Sequence, residues 1–527
     1  MNIVLLRTEG NQRFIFASNK RQEIVGASEL IARLDRTWVR EELRNVFPGF
    51  NESWRIGPHD AELLMAGAGT ATVLVKDKQL AKRLVTRVTS RALREAPGLD
   101  VCGVVVPYGP SDGGLRLVDA YSKAQRELSA VRDDRPGPQA RFRRLPLIAE
   151  CASNGLPASE TRWEADENTY QPRSPVAVAK LDAFRGTAFD RLAQAAGMPA
   201  ETMQAIVRRL SFEADWVAVV HADGNRLGDL FRGLRGRSER DRLEASERGR
   251  PEEVSDEDYA AKVRCLSAAV DACARRAFKD ALGRTREELE DSAGAAAVLM
   301  NGQPPVVPLV LGGDDLTVVC DGRVALPFTR HYLEAFEETT SRDEGIRRVA
   351  GDGLTAAAGV AIVKQKYPFH FAYELCEELM SREAKGVKET GSALAFAVLL
   401  DSAAADLTRL RASNGASASP YLVGKAARRA DTGIQRWEEL ERRVEALRRR
   451  GPDGELLIPR GDAHELREGL VLSDKVRNVA QSRLRQLRQR YAGDHDRLAV
   501  LDTLAQEPLA GLPDAMAALA FLPERKA

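Results

Sequence analysis

Two aspartates, Asp314 and Asp315, follow two glycines in the string VVPLVLGGDDLTVV from Val306 to Val319. A third, Asp223, closes the apolar run in WVAVVHADGNRLG farther upstream. Carboxylates hold hard cations such as Mg²⁺, which take oxygen ligands and bridge phosphates. Where acids from separate strands share two such ions about 4 Å apart, the attacking and leaving oxygens of a phosphoryl transfer are clamped together. Lys385 adds one ammonium. A lysine there either offsets a helix dipole or binds the phosphates of a nucleotide, and its position leaves both roles open. Alone, each acidic motif also reads as a solvated turn. Their succession along one chain favours the metal reading.

The elements that must position these residues are legible around them. The runs flanking Gly312, Gly313, Asp314 and Asp315 are rich in β-branched residues, so the string predicts a hairpin tipped by glycines and acids. Glycine turns the backbone sharply and leaves room for a ligand beside it. WVAVV predicts a buried strand broken by HADGN, which places Asp223 at a strand end beside that hairpin. Neighbouring side chains on extended chain point to opposite faces, so Asp314 and Asp315 cannot share one aim. Downstream, Ala356 to Val363 is strand-like. Phe371, Ala372, Leu375, Leu379 and Met380 then recur at helical spacing, with Lys385 near the end of that helix.

The order strand–Asp, strand–GGDD–strand, strand–helix–Lys resembles nucleotide cyclase palms, the GGDEF cyclases included. The wording ADGNRLG, LVLGGDDLT and AGVAIVKQKYP is similar to the polymerase palm in the large subunit of type III CRISPR effector complexes. That resemblance implies a ferredoxin-like palm, with helices on one side of an antiparallel sheet, that makes cyclic oligoadenylates from ATP in antiviral defence. It implies two Mg²⁺ or Mn²⁺ ions on Asp223 and Asp314, with Asp315 beside them and the Gly224 carbonyl as a further ligand. Gly312 and Gly313 would make room for the nucleotide, Gly224 and Asn225 would border it, and Lys385 would touch phosphates. The family often carries Asp where Asn225 stands. ATP is the implied substrate, with RNA and sibling effector subunits as implied partners. An RNA-binding scaffold without catalysis and a GTP-using cyclase are the alternatives. The segment LPLIAECASNGLPAS resembles the place of the family's paired zinc cysteines. Here Cys102, Cys151, Cys265, Cys273, Cys320 and Cys376 include no CxxC pair, so no zinc is expected.

The N-terminal region repeats the pattern. VLLRTEGN (Val4 to Asn11) sets Glu9, Gly10 and Asn11 opposite Asp223, Gly224 and Asn225. LLMAGAGTATVLV (Leu63 to Val75) aligns with the GGDD string, Thr72 opposite Thr317, with Gly69 and Thr70 in the places of Asp314 and Asp315. This is a long-period duplication whose first copy has lost its hairpin acids and is expected to serve as a packing partner.

The expected fold is α+β: two ferredoxin-like palm domains, the first degenerate, with a helical linker and a C-terminal helical domain. The boundaries are 1–110 for the degenerate palm, 111–214 for the linker, 215–400 for the active palm and 401–527 for the helical end. Within the active palm, 232–295 reads as a charged helical insertion whose run RGLRGRSERDRLEASERGRPEE forms a solvated face. Helices are expected over Thr432 to Arg449 and Asp462 to Tyr491. A length of 527 residues with 44% hydrophobic and 29% charged residues is globular and multidomain. A net charge of +1 supplies no global field for nucleic acid. No apolar run has membrane-spanning length and MNIVLLRTEG lacks a signal layout, so a cytoplasmic protein with no membrane partner is expected. Oligomeric state is not set by the sequence.

Overall fold

The computed structural model describes the chain apart from residues 110–113, 135, 137, 165–167, 229, 232–254, 400–405, 415–416, 428–432, 472–476, 525 and 527. Strand β1 (Asn2–Glu9) is buried almost throughout, as its unbroken apolar run requires of a central strand covered on both faces. Helix α1 (Arg21–Arg33) follows, then the hairpin β2 (Ala61–Gly67) and β3 (Thr70–Val75). Asp77 caps helix α2 (Lys78–Glu95) by accepting from the backbone N–H groups of Gln79 and Leu80, and β4 (Asp100–Pro107) completes the unit. The sheet runs β2-β3-β1-β4 with every neighbour antiparallel, which is the ferredoxin-like arrangement. A small hairpin, β5 (Glu160–Glu164) and β6 (Thr169–Arg173), and three helices between Pro175 and Phe212 lead to the second unit.

The second unit repeats the topology. Its parts are β7 (Trp216–Gly224), α3 (Asp256–Glu290), β8 (Val306–Gly312), β9 (Asp315–Asp321), α4 (Gly322–Arg342) and β10 (Ala356–Lys364). After α5 (Phe369–Glu378), β11 (Ser392–Val398) adds in parallel to β10, and β12 (Tyr421–Val423) adds antiparallel to β11. The sheet order β12-β11-β10-β7-β9-β8 therefore contains the first sheet's four-strand order in its β10-β7-β9-β8 part. The fold is α+β with two palms, and the duplication read in the sequence is one of topology too.

Three details differ from expectation. The stretch read as an insertion supplies α3, the palm's own crossover helix: Val263, Leu266, Val270, Phe278 and Leu282 are buried, and Phe278 meets Phe328 of α4 edge-on at 5.6 Å. Its charged leader, 232–254, lies outside the described residues. The palm sheet does not stop at 400, because β12 belongs to it; helices such as Trp437–Arg448 and His495–Leu504 come only afterwards. Finally, the first strand's alignment shifts by two. Gly67 faces Thr70 across the first hairpin as Gly312 faces Asp315 across the second. Thr70 pairs with Arg7, whereas Ala222 pairs with Leu316 and so sets Asp223 level with Asp315. Arg7, not Glu9, thus stands where the second palm has Asp223. A slip of two keeps the face, which is why the motifs looked matched. No helix among the described residues is long and apolar enough to cross a membrane.

Candidate functional site

The candidate site begins at the end of β7. Asn225 leaves the strand with its N–H donating to Thr355 O at 2.8 Å, and Arg226 takes a left-handed φ of 63°, so the chain turns away just past Asp223. Opposite it, Gly313 and Asp314 form the hairpin tip between the paired Gly312 and Asp315, Gly313 at a φ of +60° that favours glycine. The two motifs meet. A side-chain carbon placed on Gly224 would lie 2.7 Å from Asp314 Cβ and 2.9 Å from its Oδ2, so only glycine lets that carboxylate close on the strand end.

Charge is crowded here. Burial, and then the charge of Asp223, push the Asp314 carboxyl up to about 7. The same two causes push Asp315 up to about 7. Asp315 Oδ1 is shielded from solvent without a hydrogen-bond partner. His221 Nδ1 stands 3.5 Å from it and 3.1 Å from Thr317 Oγ1, and burial holds that imidazole below its usual range. Among the described residues, the cation that lowers both carboxyls is Lys385. Helix α5 runs into one π turn, Leu379–Glu383, and a 3₁₀ turn, Ala384–Val387, and from there the Lys385 ammonium donates to Asp223 Oδ2. The Lys385 ammonium therefore faces the acids.

Among the described residues, no group of three or more His, Cys, Asp or Glu side chains is already arranged as a cation-binding cluster, and Asp223 is turned to Lys385. The donor chemistry nonetheless fits a divalent ion. Two oxygen-donor acids stand on adjoining strands and a third at the hairpin tip, one with an orphaned oxygen, and burial and the charge of Asp223 make two of them reluctant to ionise.

The remaining expected residues divide. Gly312 makes room for protein: a side-chain carbon there would lie 3.0 Å from the backbone nitrogen of Ala68, at the tip of the first palm's hairpin. Gly313 has open space beside it. Asn225 is buried and donates its amide to Thr355 Oγ1 at 2.9 Å and Gly391 O at 3.4 Å, which leaves only its unpartnered Oδ1 for a nucleotide. Sequence reasoning missed His221, although its two-residue spacing from Asp223 puts both on one strand face. It also missed Tyr332 of α4, buried near all three acids, whose phenol is raised by burial and by their charge. No spacing in the sequence pointed to it.

Residues 216–393 match the family model of the second palm domain of Cas10/Cmr2. No curated protein matches the chain. Among solved structures, a Csm1-Csm4 cassette in complex with AMPPNP is 13% identical with a TM-score of 0.51, over 98% of this chain and 69% of that one. A Csm1-Csm4 cassette in complex with pppApApA is 12% identical with a TM-score of 0.50, over 98% and 69%. Csm1 in T. onnurineus is 13% identical with a TM-score of 0.46, over 99% and 67%. At such identities the likeness is one of fold.

Proposed function

We propose, from the premise that this Cas10-like chain carries a second palm domain of the Cas10/Cmr2 kind over residues 216–393, that it is a nucleotidyltransferase joining ATP into linear or cyclic oligoadenylates. Asp223 and Asp314, with Asp315 and the Gly224 carbonyl, would hold Mg²⁺ or Mn²⁺. Such ions, when bound, lower the pKa of a ribose hydroxyl and neutralise triphosphate charge. The chain's own residues do the rest. Lys385 gives up Asp223 and turns to the phosphates, where an ammonium offsets charge building on the leaving pyrophosphate. The ribose oxygen bonds to the α-phosphorus of a second ATP, the bond to the bridging oxygen breaks, pyrophosphate departs and the hydroxyl proton passes to solvent. Gly313 leaves the tip open for the incoming nucleotide. The first palm has Arg7, Gly69 and Thr70 at the corresponding places and serves as a packing partner.

The observation that carries this reading is the closure of Gly224 on the Asp314 carboxylate, which brings acids distant in sequence to one place. The ligands named for the fold neighbours, AMPPNP and pppApApA, agree with an adenine nucleotide. Their Csm1-Csm4 pairing supports a sibling effector subunit as a partner, and RNA is a further partner within the same proposal. A scaffold role without catalysis is the second reading, favoured by the lack of a ready cation cluster among the described residues. Purified protein with Mn²⁺ and radiolabelled ATP should release pyrophosphate and form oligoadenylates, and Asp314→Ala with Asp315→Ala should stop both. GTP in place of ATP tests the base. Turnover that persists in the double variant rejects the assignment, and a wild-type protein that binds RNA without turnover supports the scaffold.

A further inference from the structure

Each hairpin tip is pinned by an aspartate from the crossover that precedes it. In the second palm, Asp271 of α3 accepts at Oδ1 from the Gly313 N–H at 3.1 Å, one peptide before Asp314. In the first, Asp35 accepts at Oδ1 from the Gly69 N–H, also at 3.1 Å. The two tips touch where Gly312 meets Ala68. Arg275 grips Asp271 with Nε at 2.8 Å and Nη2 at 3.3 Å. Burial pushes the Asp35 carboxyl up to about 6, against its hydrogen bond from Gly69 and the charges of Arg40 and Arg275.

From this we infer that Asp271 is a positioning residue for the catalytic hairpin, holding the Gly313 N–H so that Asp314 meets Gly224. The inference rests on the proposed nucleotidyl transfer for its kinetic consequence, but not for its structural one. A two-residue tip bearing a glycine at positive φ has few restraints of its own, because its peptide can flip without breaking a strand hydrogen bond. The Asp271 carboxylate limits that freedom by holding the N–H of Gly313, the residue before Asp314. The arrangement also gives the degenerate palm a task that needs no acids at its own tip, namely to brace the tip that has them. Asp271 is partly exposed, with a side chain 32% accessible, so its replacement leaves the core untouched.

The test compares Asp271→Ala with Asp271→Asn in the full chain. Asparagine keeps an oxygen that accepts from Gly313, whereas alanine does not. Hydrogen exchange of the peptide spanning the hairpin should quicken about tenfold in the alanine variant, the order expected for loss of one hydrogen bond, and stay near wild type in the asparagine variant. With Mn²⁺ and ATP, the alanine variant should lose about tenfold or more in kcat with little change in KM, as for a misplaced reacting group, and asparagine should recover most of it. Equal exchange in all three proteins overturns the pin. Alanine and asparagine variants equally impaired overturn it as well, since that would mean the charge matters and the hydrogen bond does not. A wild-type protein without turnover defeats the proposed activity and leaves the exchange experiment to decide the pin.

Discussion

Replacing Lys385 by methionine should change metal binding and turnover in opposite directions. In the structure its ammonium donates to Asp223 Oδ2, so it occupies the carboxylate that a divalent ion needs. The two side chains are 32% and 28% exposed, and solvent screens the pair. Such a contact is worth about 1 kcal/mol at most, so its loss should tighten Mn²⁺ binding to the nucleotide-free protein by about three- to fivefold. With ATP present the lysine acts on phosphates, and loss of one such charge should lower turnover by about 10²-fold or more. Titration of free Mn²⁺ by electron paramagnetic resonance reads the first effect and pyrophosphate release reads the second. A lysine that merely offsets a helix dipole would alter stability by a few tenths of a kcal/mol and neither readout. Unchanged or weaker Mn²⁺ binding together with intact turnover would refute the reasoning.

Gly224→Ala places a carbon 2.7 Å from Asp314 Cβ, so it should cost about 1–3 kcal/mol of stability and nearly all turnover, measured by thermal unfolding and pyrophosphate release. Gly312→Ala, at 3.0 Å from Ala68 N, should push the two hairpin tips apart, lowering turnover while Mn²⁺ binding falls less; full turnover would show that the tips need not touch. Asp314 and Asp315 are raised from 3.8 to about 7, so the folded chain keeps their protons longer than the unfolded chain does. Their effect on metal-free stability is therefore absent below about pH 4, becomes unfavourable as pH rises toward 7, and is constant above that. A divalent ion binds the ionised forms, so the melting-temperature rise produced by Mn²⁺ should be small at pH 6 and larger at pH 8. An equal rise at both would contradict raised carboxyls.

What the sequence disclosed was local. β-Branched runs around Gly312 to Asp315 can be little else than a tight hairpin, and the apolar strand ending in Asp223 is equally self-contained. Their meeting was legible from the order of the motifs, which resembles that of nucleotide cyclase palms. The pin from Asp271 was not, since a helix residue's contact with a distant backbone N–H leaves no periodic trace. Helix α3 was mistaken for an insertion because the charged run before it masks a buried stripe that starts only near Tyr259. The two-residue slip from Arg7 to Glu9 escaped notice because strand patterns have period two and both alignments bury the same face. Strand β12 is only three residues long, too short for any pattern, and gains its place by pairing with β11.

Crystals grown with Mn²⁺ and a non-hydrolysable ATP analogue test the shared metal site most directly, by anomalous scattering. The account predicts Mn²⁺ peaks within about 2.5 Å of both an Asp223 and an Asp314 oxygen, with the Lys385 ammonium moved onto phosphate. Density that touches acids of one strand only, or a Lys385 still bound to Asp223 beside a seated nucleotide, would contradict it.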